Sequence, residues 1–166
     1  MKIQLVKIKQ LSGNQASIYT VIYENDEVSR FDKFLNESEN SFKSELNDIV
    51  LRLKTIGTQT GAREQFFKMN EGNLGDGVCA LYDDPNKKLR LYCIRYGTTL
   101  IIVGGGGHKP KTIKALQQDS ILKKENLIMR KISKLIREKQ EEGTISFSDD
   151  FYDFNGNLNL NDTDYE

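Results

Sequence analysis

Three apolar, strand-forming runs follow one another between residues 78 and 103 with only tight turns between them, and this spacing constrains the fold more than any other feature of the chain. Val78 to Tyr82 leads into Asp83-Asp84-Pro85-Asn86, Leu89 to Arg95 leads into Tyr96-Gly97-Thr98, and Leu100 to Val103 ends at Gly104-Gly105-Gly106-Gly107. Asp, Asn, Pro and Gly are turn formers, whereas a parallel crossover needs a dozen or more residues, so strands this close pair antiparallel. The expected architecture is a meander in an α+β fold: an antiparallel sheet of about four or five strands with helices packed on one face, not a doubly wound parallel sheet.

The flanking segments extend this frame. Residues 3 to 9 and 16 to 23, joined through Ser12-Gly13-Asn14, read as a hairpin whose second strand alternates Ile18, Thr20 and Ile22 with Tyr19, Val21 and Tyr23. Helical spacing of Val28, Phe31, Phe34 and Leu35, and then of Phe42, Leu46, Ile49, Val50, Leu53 and Ile56, predicts two helices, the second capped by Ser41 and stopped at Gly57. Thr58 to Gly77 is a glycine-punctuated loop carrying one short ordered piece, residues 62 to 68. Beyond the glycine run a short helix over 112 to 118 precedes a longer one over about 121 to 139. At 100° per residue from Ile121, the side chains of Leu122, Ile128, Met129, Ile132, Leu135 and Ile136 fall in an arc of about 140°. Lys123, Lys124, Arg130, Lys131, Lys134 and Arg137 occupy the opposite arc, a basic stripe. Thr144 to Phe147 reads as a strand and Asn155-Gly156 as a tight hairpin turn. Residues 1 to 143 are thus expected to form one domain, and 144 to 166 an acidic extension made of a hairpin and a frayed end.

A chain of 166 residues suffices for one core. No apolar run approaches the roughly 20 residues of a membrane span and no signal-peptide core follows Met1, so a cytoplasmic protein with no membrane partner is expected. Cys79 and Cys93 sit inside apolar strand-like runs, as small buried hydrophobes do in a reducing compartment. With one histidine and no Cys-x-x-Cys pair, a four-ligand zinc site of Cys and His is excluded. The glycine run lacks the Gly-Lys-Ser/Thr of a nucleotide-hydrolysing phosphate loop, although its backbone could cradle an RNA phosphate. Asp153-Phe154-Asn155-Gly156-Asn157 misplaces the glycine of a calcium loop.

The formal charge is zero, but its distribution is not even. Residues 1 to 41 carry 5 basic and 6 acidic groups, residues 42 to 137 carry 18 and 9, and residues 138 to 166 carry 1 and 9. A basic body followed by an acidic tail suits a polyanion-binding protein with a surface to shield, and residues 138 to 166 are expected to fold back over the basic face. The same tail can also be a solvated end and nothing more.

Functional side-chain types are densest between Lys87 and Lys111. Arg90, Tyr92, Arg95, Tyr96, His108, Lys109 and Lys111 come from adjacent strands and the connection after them. Strand alternation sends Arg90 and Arg95 to opposite faces unless a bulge intervenes. Either arginine can instead pair with Asp83 or Asp84 across a turn.

The run from Leu89 to Val103, followed by His108-Lys109-Pro110-Lys111, resembles the central strand pair and lysine-rich loop of RelE/ParE-type toxins of the HigB kind, over about residues 42 to 118. The resemblance implies an endoribonuclease of a toxin-antitoxin system that cuts messenger RNA, usually on the ribosome, and is neutralised by a cognate antitoxin. The RNA 2′-hydroxyl attacks its own phosphate, so such a reaction needs no metal or cofactor: only a proton acceptor, a proton donor and cations for the extra charge. In that scheme Arg90 clamps the phosphate, Lys109 adds positive field and His108, which tops no family motif, is the proton shuttle the residues themselves offer. Arg63, Lys68, Tyr92, Arg95, Tyr96 and Lys111 complete the expected RNA-contacting set. Two other readings keep the fold: a non-catalytic module that binds protein or nucleic acid, and a ParE-type toxin directed at gyrase.

Overall fold

The computed structural model describes residues 1–84, 86–109 and 115–162, those at 115–119 by their backbone alone. Strands β1 (Lys2–Lys7) and β2 (Ser17–Tyr23) form the expected hairpin, with Ile3 opposite Tyr23 and Lys7 opposite Tyr19. Helix α1 (Arg30–Thr55) follows, and a wide turn, Ile56–Thr60, extends it. A short 3₁₀ turn leads into β3 (Phe67–Lys68), then β4 (Val78–Leu81), β5 (Leu89–Arg95) and β6 (Leu100–His108). Helix α2 (Ala115–Glu141) precedes β7 (Ile145–Phe147), β8 (Phe154–Gly156) and β9 (Asn159–Asn161). The protein is α+β, and among the described residues no helix is long and apolar enough to cross a membrane.

The meander β3-β4-β5-β6 is antiparallel as its turns require, but the sheet does not stop there. Its order is β3-β4-β5-β6-β2-β1-β9, seven strands, and β6 runs parallel to β2 with Ser17 opposite Leu100 and Tyr19 opposite Ile102. The expected wholly antiparallel sheet of four or five strands is therefore too small and of the wrong kind. The helices also lie on both faces, not one. Phe31, Phe34, Leu46, Ile49 and Leu53 of α1 bury against Ile18, Leu91, Cys93, Ile101 and Val103. Leu122, Met129, Ile132 and Ile136 of α2 bury against Val21, Ile94, Leu100 and Ile102 on the other side. The physical reason lies in Leu100-Ile101-Ile102-Val103, all fully buried: an unbroken apolar strand has two apolar faces, and both need covering.

Helix α1 starts where Ser29 Oγ accepts the Asp32 N–H at 3.0 Å, and Arg52 and Lys54 complement the dipole in its last turn. The two expected helices run on from each other, with the break at Phe42, whose φ of −138° and ψ of 34° kink the axis. Across the end of the sheet, buried Arg30 pairs with Glu125 and stacks over the Tyr23 ring, tying α1 to α2.

Glycines 104 to 107 are not a loop but the second half of β6. Arg90 faces Gly107 and Leu91 faces Gly106, whereas Cys93 faces Val103, so one extra residue bulges opposite Tyr92. The bare backbone lets α2 press onto the sheet: a Cβ on Gly104 would sit 2.3 Å from Met129 Sδ. The expected phosphate-cradling loop is thereby filled by helix packing. Part of the expected helix over 112 to 118 lies outside the described residues.

The C-terminal strands complete the α2 face. β7 and β8 form a hairpin, but the chain turns at Ser148–Asp153, not at Asn155-Gly156, which lies in β8. Phe154 stacks on Phe147 and meets Tyr19 and Tyr96 edge-on. β9 then joins the main sheet beside β1, with Leu160 opposite Ile3.

Candidate functional site

The segment between β3 and β4, residues 69 to 77, is a loop fixed against α2. Its own fold is set by Asp76, whose carboxylate accepts the backbone N–H groups of Asn73 at 2.7 Å and Val78 at 2.9 Å. Three helix side chains then hold it: Asn126 Nδ2 donates to Glu71 O at 2.8 Å, Ser133 Oγ to Asp76 O at 2.6 Å and Arg137 to Gly75 O at 3.3 Å. Between loop, helix and sheet lie two adjoining recesses of about 490 and 380 Å³. The first is lined by Glu71, Arg90, Tyr92, Leu122, Lys123, Asn126, Leu127 and Arg130; the second by Asn73, Leu74, Asp76, Leu127, Arg130, Lys131, Lys134 and Arg137. They share Leu127 and Arg130, so they adjoin along one side of α2 and together form the cleft.

The electrostatics of this cleft are one-sided. Arg90, Lys123, Arg130, Lys131, Lys134 and Arg137 line it against only Glu71 and Asp76, and Asp76 is already engaged by two backbone donors. Behind Arg90 lies a second concentration of charge. Asp83, only 4% exposed, is reached by Lys68 Nζ at 2.5 Å, Lys109 Nζ at 3.1 Å and Arg90 Nε at 3.6 Å. Burial pushes the Asp83 carboxyl up, but hydrogen bonds from Lys68 and Lys109 and the charge of Arg90 outweigh it and hold it below its ordinary value. Burial likewise pulls the Arg90 guanidinium down, and Asp83 and Tyr92 more than restore it. Three cations around one carboxylate leave a local excess of positive charge next to Arg90, the one of the three that lines the cleft.

The sheet sorts the sequence-predicted residues by face. Arg90 and Tyr92 point to the α2 side and line the cleft, and Lys68 and Lys109 join Arg90 at Asp83. His108 pairs across the ladder with Leu89, whose side chain belongs to the α1 core, and its ring lies 5.0 Å from that of Phe42. It therefore stands on the opposite face from Arg90, and the expected convergence of Arg90, His108 and Lys109 holds for the two cations only. Arg95 is also on the α1 side, its Nε donating to Ala62 O at 2.8 Å, as alternation along an unbulged β5 requires. Tyr96 packs between Phe147 and Phe154, where burial pushes its hydroxyl far up, so it is a core residue and not an RNA contact. Arg63 is exposed beside the 3₁₀ turn, away from the residues lining the cleft. Lys111 lies outside the described residues.

Among the described residues, the strands of the tail do not lie over this surface. Asp153 accepts from Lys7 at 2.9 Å, Tyr19 at 2.9 Å and Ser17 at 3.2 Å, and Phe151 O accepts from Thr99 at 2.6 Å. Those partners are at the Arg95 end of the strands, the end away from Arg90. Asp153 thus anchors the strands of the tail at that end, and of its acidic residues Glu138, still within α2, reaches Lys134 of the cleft at 3.9 Å.

Among the described residues, only Arg90 and Tyr92 of the predicted site line the cleft; the rest of its lining escaped sequence reasoning. Lys123, Arg130, Lys131, Lys134 and Arg137 were visible only as members of the basic stripe, and Glu71, Leu74 and Asp76 sat in a loop with no periodicity to place them. Among the described residues there is no cluster of three or more His, Cys, Asp or Glu side chains able to hold a metal ion. The fold and the site together define a three-layer α+β protein with a positively charged cleft beside its second helix. Set against known proteins, the chain matches no family model, no curated relative and no solved structure.

Proposed function

We propose that this protein is a nucleic-acid-binding module that holds the phosphate backbone of RNA in the cleft between α2 and the 69–77 loop. One observation carries the reading: Arg90 of β5 and five lysines and arginines spread over about four turns of α2 line the two adjoining recesses, whose lining, among the described residues, holds only two carboxylates, Glu71 and Asp76. Phosphate binding gains its free energy from releasing condensed counterions, and clustered cations on one face are its electrostatic footprint. A titration of labelled RNA by fluorescence anisotropy at salt concentrations from about 50 to 200 mM tests this. Affinity should fall linearly on a log–log plot with a slope of roughly −3 to −4, about −0.7 for each phosphate neutralised on a single strand. An Arg130→Ala, Lys134→Ala double variant should flatten the slope by about 1.4. No binding at the lowest salt, or a slope indifferent to these changes, would sink the proposal.

A toxin-like endoribonuclease is the second reading, favoured by the position of Arg90 beside Tyr92 in the cleft. On that reading Arg90 clamps the scissile phosphate, and the proton acceptor is the carboxylate on the same face, Glu71, in place of His108. Inducible expression in a bacterium separates the two: growth arrest and RNA cleavage lost in Arg90→Ala and Glu71→Gln but kept in His108→Ala supports the toxin. Harmless expression with intact RNA binding supports the module.

A further inference from the structure

We infer that the cleft selects unpaired RNA, seating a base against Leu74 and Leu127 while Arg90 and Arg130 hold the flanking phosphates; this inference rests on the RNA-binding reading above. Leu74 is 98% exposed and Leu127 49% exposed, and both line recesses that also contain Arg130. Single exposed leucines are ordinary on a protein surface. Two that border one hollow among cations are a different matter, because a phosphate chain has no use for them. The leucine is also not presented on a loose loop: Asp76 sets the turn from within, and Asn126, Ser133 and Arg137 fasten it to α2.

A hollow with apolar walls and cationic ends matches a nucleotide unit, whose base offers two apolar faces and whose phosphates flank it. Arg130, partly exposed where the two recesses meet and lining the second together with both leucines, sets its guanidinium within reach of a phosphate beside the base. Asn126 spends its amide nitrogen on Glu71 O and keeps its side-chain oxygen for an amino group on a base edge. Duplex RNA cannot use these features, since its bases are stacked inside and its major groove is too deep and narrow for side chains to read. The tyrosine of the cleft does not serve as the platform: Tyr92 is 4% exposed, and its ring belongs to the α2 core.

The full chain and its Leu74→Ser, Leu127→Ser and Arg130→Ala variants should be titrated against four probes. These are a fluorescein-labelled single-stranded RNA decamer, the blunt duplex of the same sequence, heparin, and vesicles of mixed phosphatidylserine and phosphatidylcholine. Both leucines are exposed, so the serine variants should keep the wild-type melting temperature. The single strand should bind about tenfold more tightly than the duplex, and each serine variant should lose about tenfold for the single strand alone. Their salt slope should stay that of the wild type, whereas Arg130→Ala should reduce it by about 0.7. Equal affinity for strand and duplex, or serine variants that bind the decamer as well as wild type, overturns the base contact and leaves the polyanion reading standing. Vesicle binding that depends on Leu74, without preference for the decamer, overturns it in favour of a bilayer surface. Failure to bind the decamer, the duplex or heparin at any salt removes the RNA reading itself.

Discussion

Replacing Asp83 by Asn probes the charge hub behind the cleft, because it removes one buried negative charge and leaves the cations of Lys68, Arg90 and Lys109 facing one another. The Asp83 side chain is 5% exposed, and its partners are 34%, 25% and 12% exposed respectively. Breaking a fully buried ion pair costs about 3–5 kcal/mol. Lys68 and Arg90 keep part of their hydration, which places the expected loss near the bottom of that range, about 3 kcal/mol. For a domain of this size that lowers the melting temperature by about 6–12 °C. Urea denaturation and calorimetry at pH 7 measure it, with Asp84→Asn, at the exposed neighbour, staying within about 0.5 kcal/mol of wild type. The linkage has a definite sign. Asp83 has a folded pKa below its unfolded one, so its contribution is complete above the unfolded value of about 3.9 and is lost as pH falls through the folded value. The gap between wild type and Asp83→Asn should therefore be constant from about pH 7 to 5 and close only below about 4. A gap under 1 kcal/mol at pH 7, or one that closes by pH 6, refutes the hub as a structural centre.

Gly106→Ala would place its Cβ 1.8 Å from Arg90 O, a clash of backbone with backbone, and should cost at least about 3 kcal/mol by urea denaturation. Asp153→Ala strips Lys7, Ser17 and Tyr19 of their shared acceptor; a loss of about 2 kcal/mol is expected, with hydrogen exchange rising across residues 145 to 161 and little change in RNA affinity. Burial pushes the Cys79 thiol up to about 12 and that of Cys93 well above its ordinary value, so neither should react with iodoacetamide at pH 8 until denaturant is added. Rapid labelling of the folded protein, read by mass spectrometry, would contradict the buried positions of both.

Where local rules decide, the sequence was a sound guide. The turn residues at 83 to 86 and 96 to 98 imposed the antiparallel meander, the break before Leu46 fell within a residue of its expected place, and the six basic residues of the stripe stay out of the apolar core built by Leu122, Met129, Ile132, Leu135 and Ile136. Non-local pairing was another matter. Nothing near Ser17 to Tyr23 announces that β2 will run parallel to β6, because that contact spans some eighty residues and is chosen by how the whole sheet is covered. The three residues of β9 carry no strand signal of their own, and they pair because Leu160 has a place in the core beside Ile3. The doubly buried character of Leu100 to Val103 was legible as an unbroken apolar run, and it already argued against helices on one face only.

The position of His108 turns on a single residue. In an unbroken β6, His108 shares parity with Leu100 and Ile102, both buried under α2, and would stand on the same face as Arg90. The bulge at Gly104 and Gly105 adds one residue to the strand and reverses that parity, which sends His108 over Phe42 on the α1 side. The bulge is bound up with the helix above it: Cβ atoms on Gly104 and Gly105 would meet Met129 Sδ at 2.3 Å and Glu125 Oε2 at 2.5 Å, so both consecutive residues turn toward α2. A glycine run gives no periodicity from which such a reversal can be counted. The same close approach that displaces His108 also brings Arg130 and Asn126 down to the level of Arg90 and Tyr92. Packing of α2 onto bare backbone thus dismantles the cluster expected around the histidine and builds, on one face of the sheet, the cation-lined hollow that takes its place.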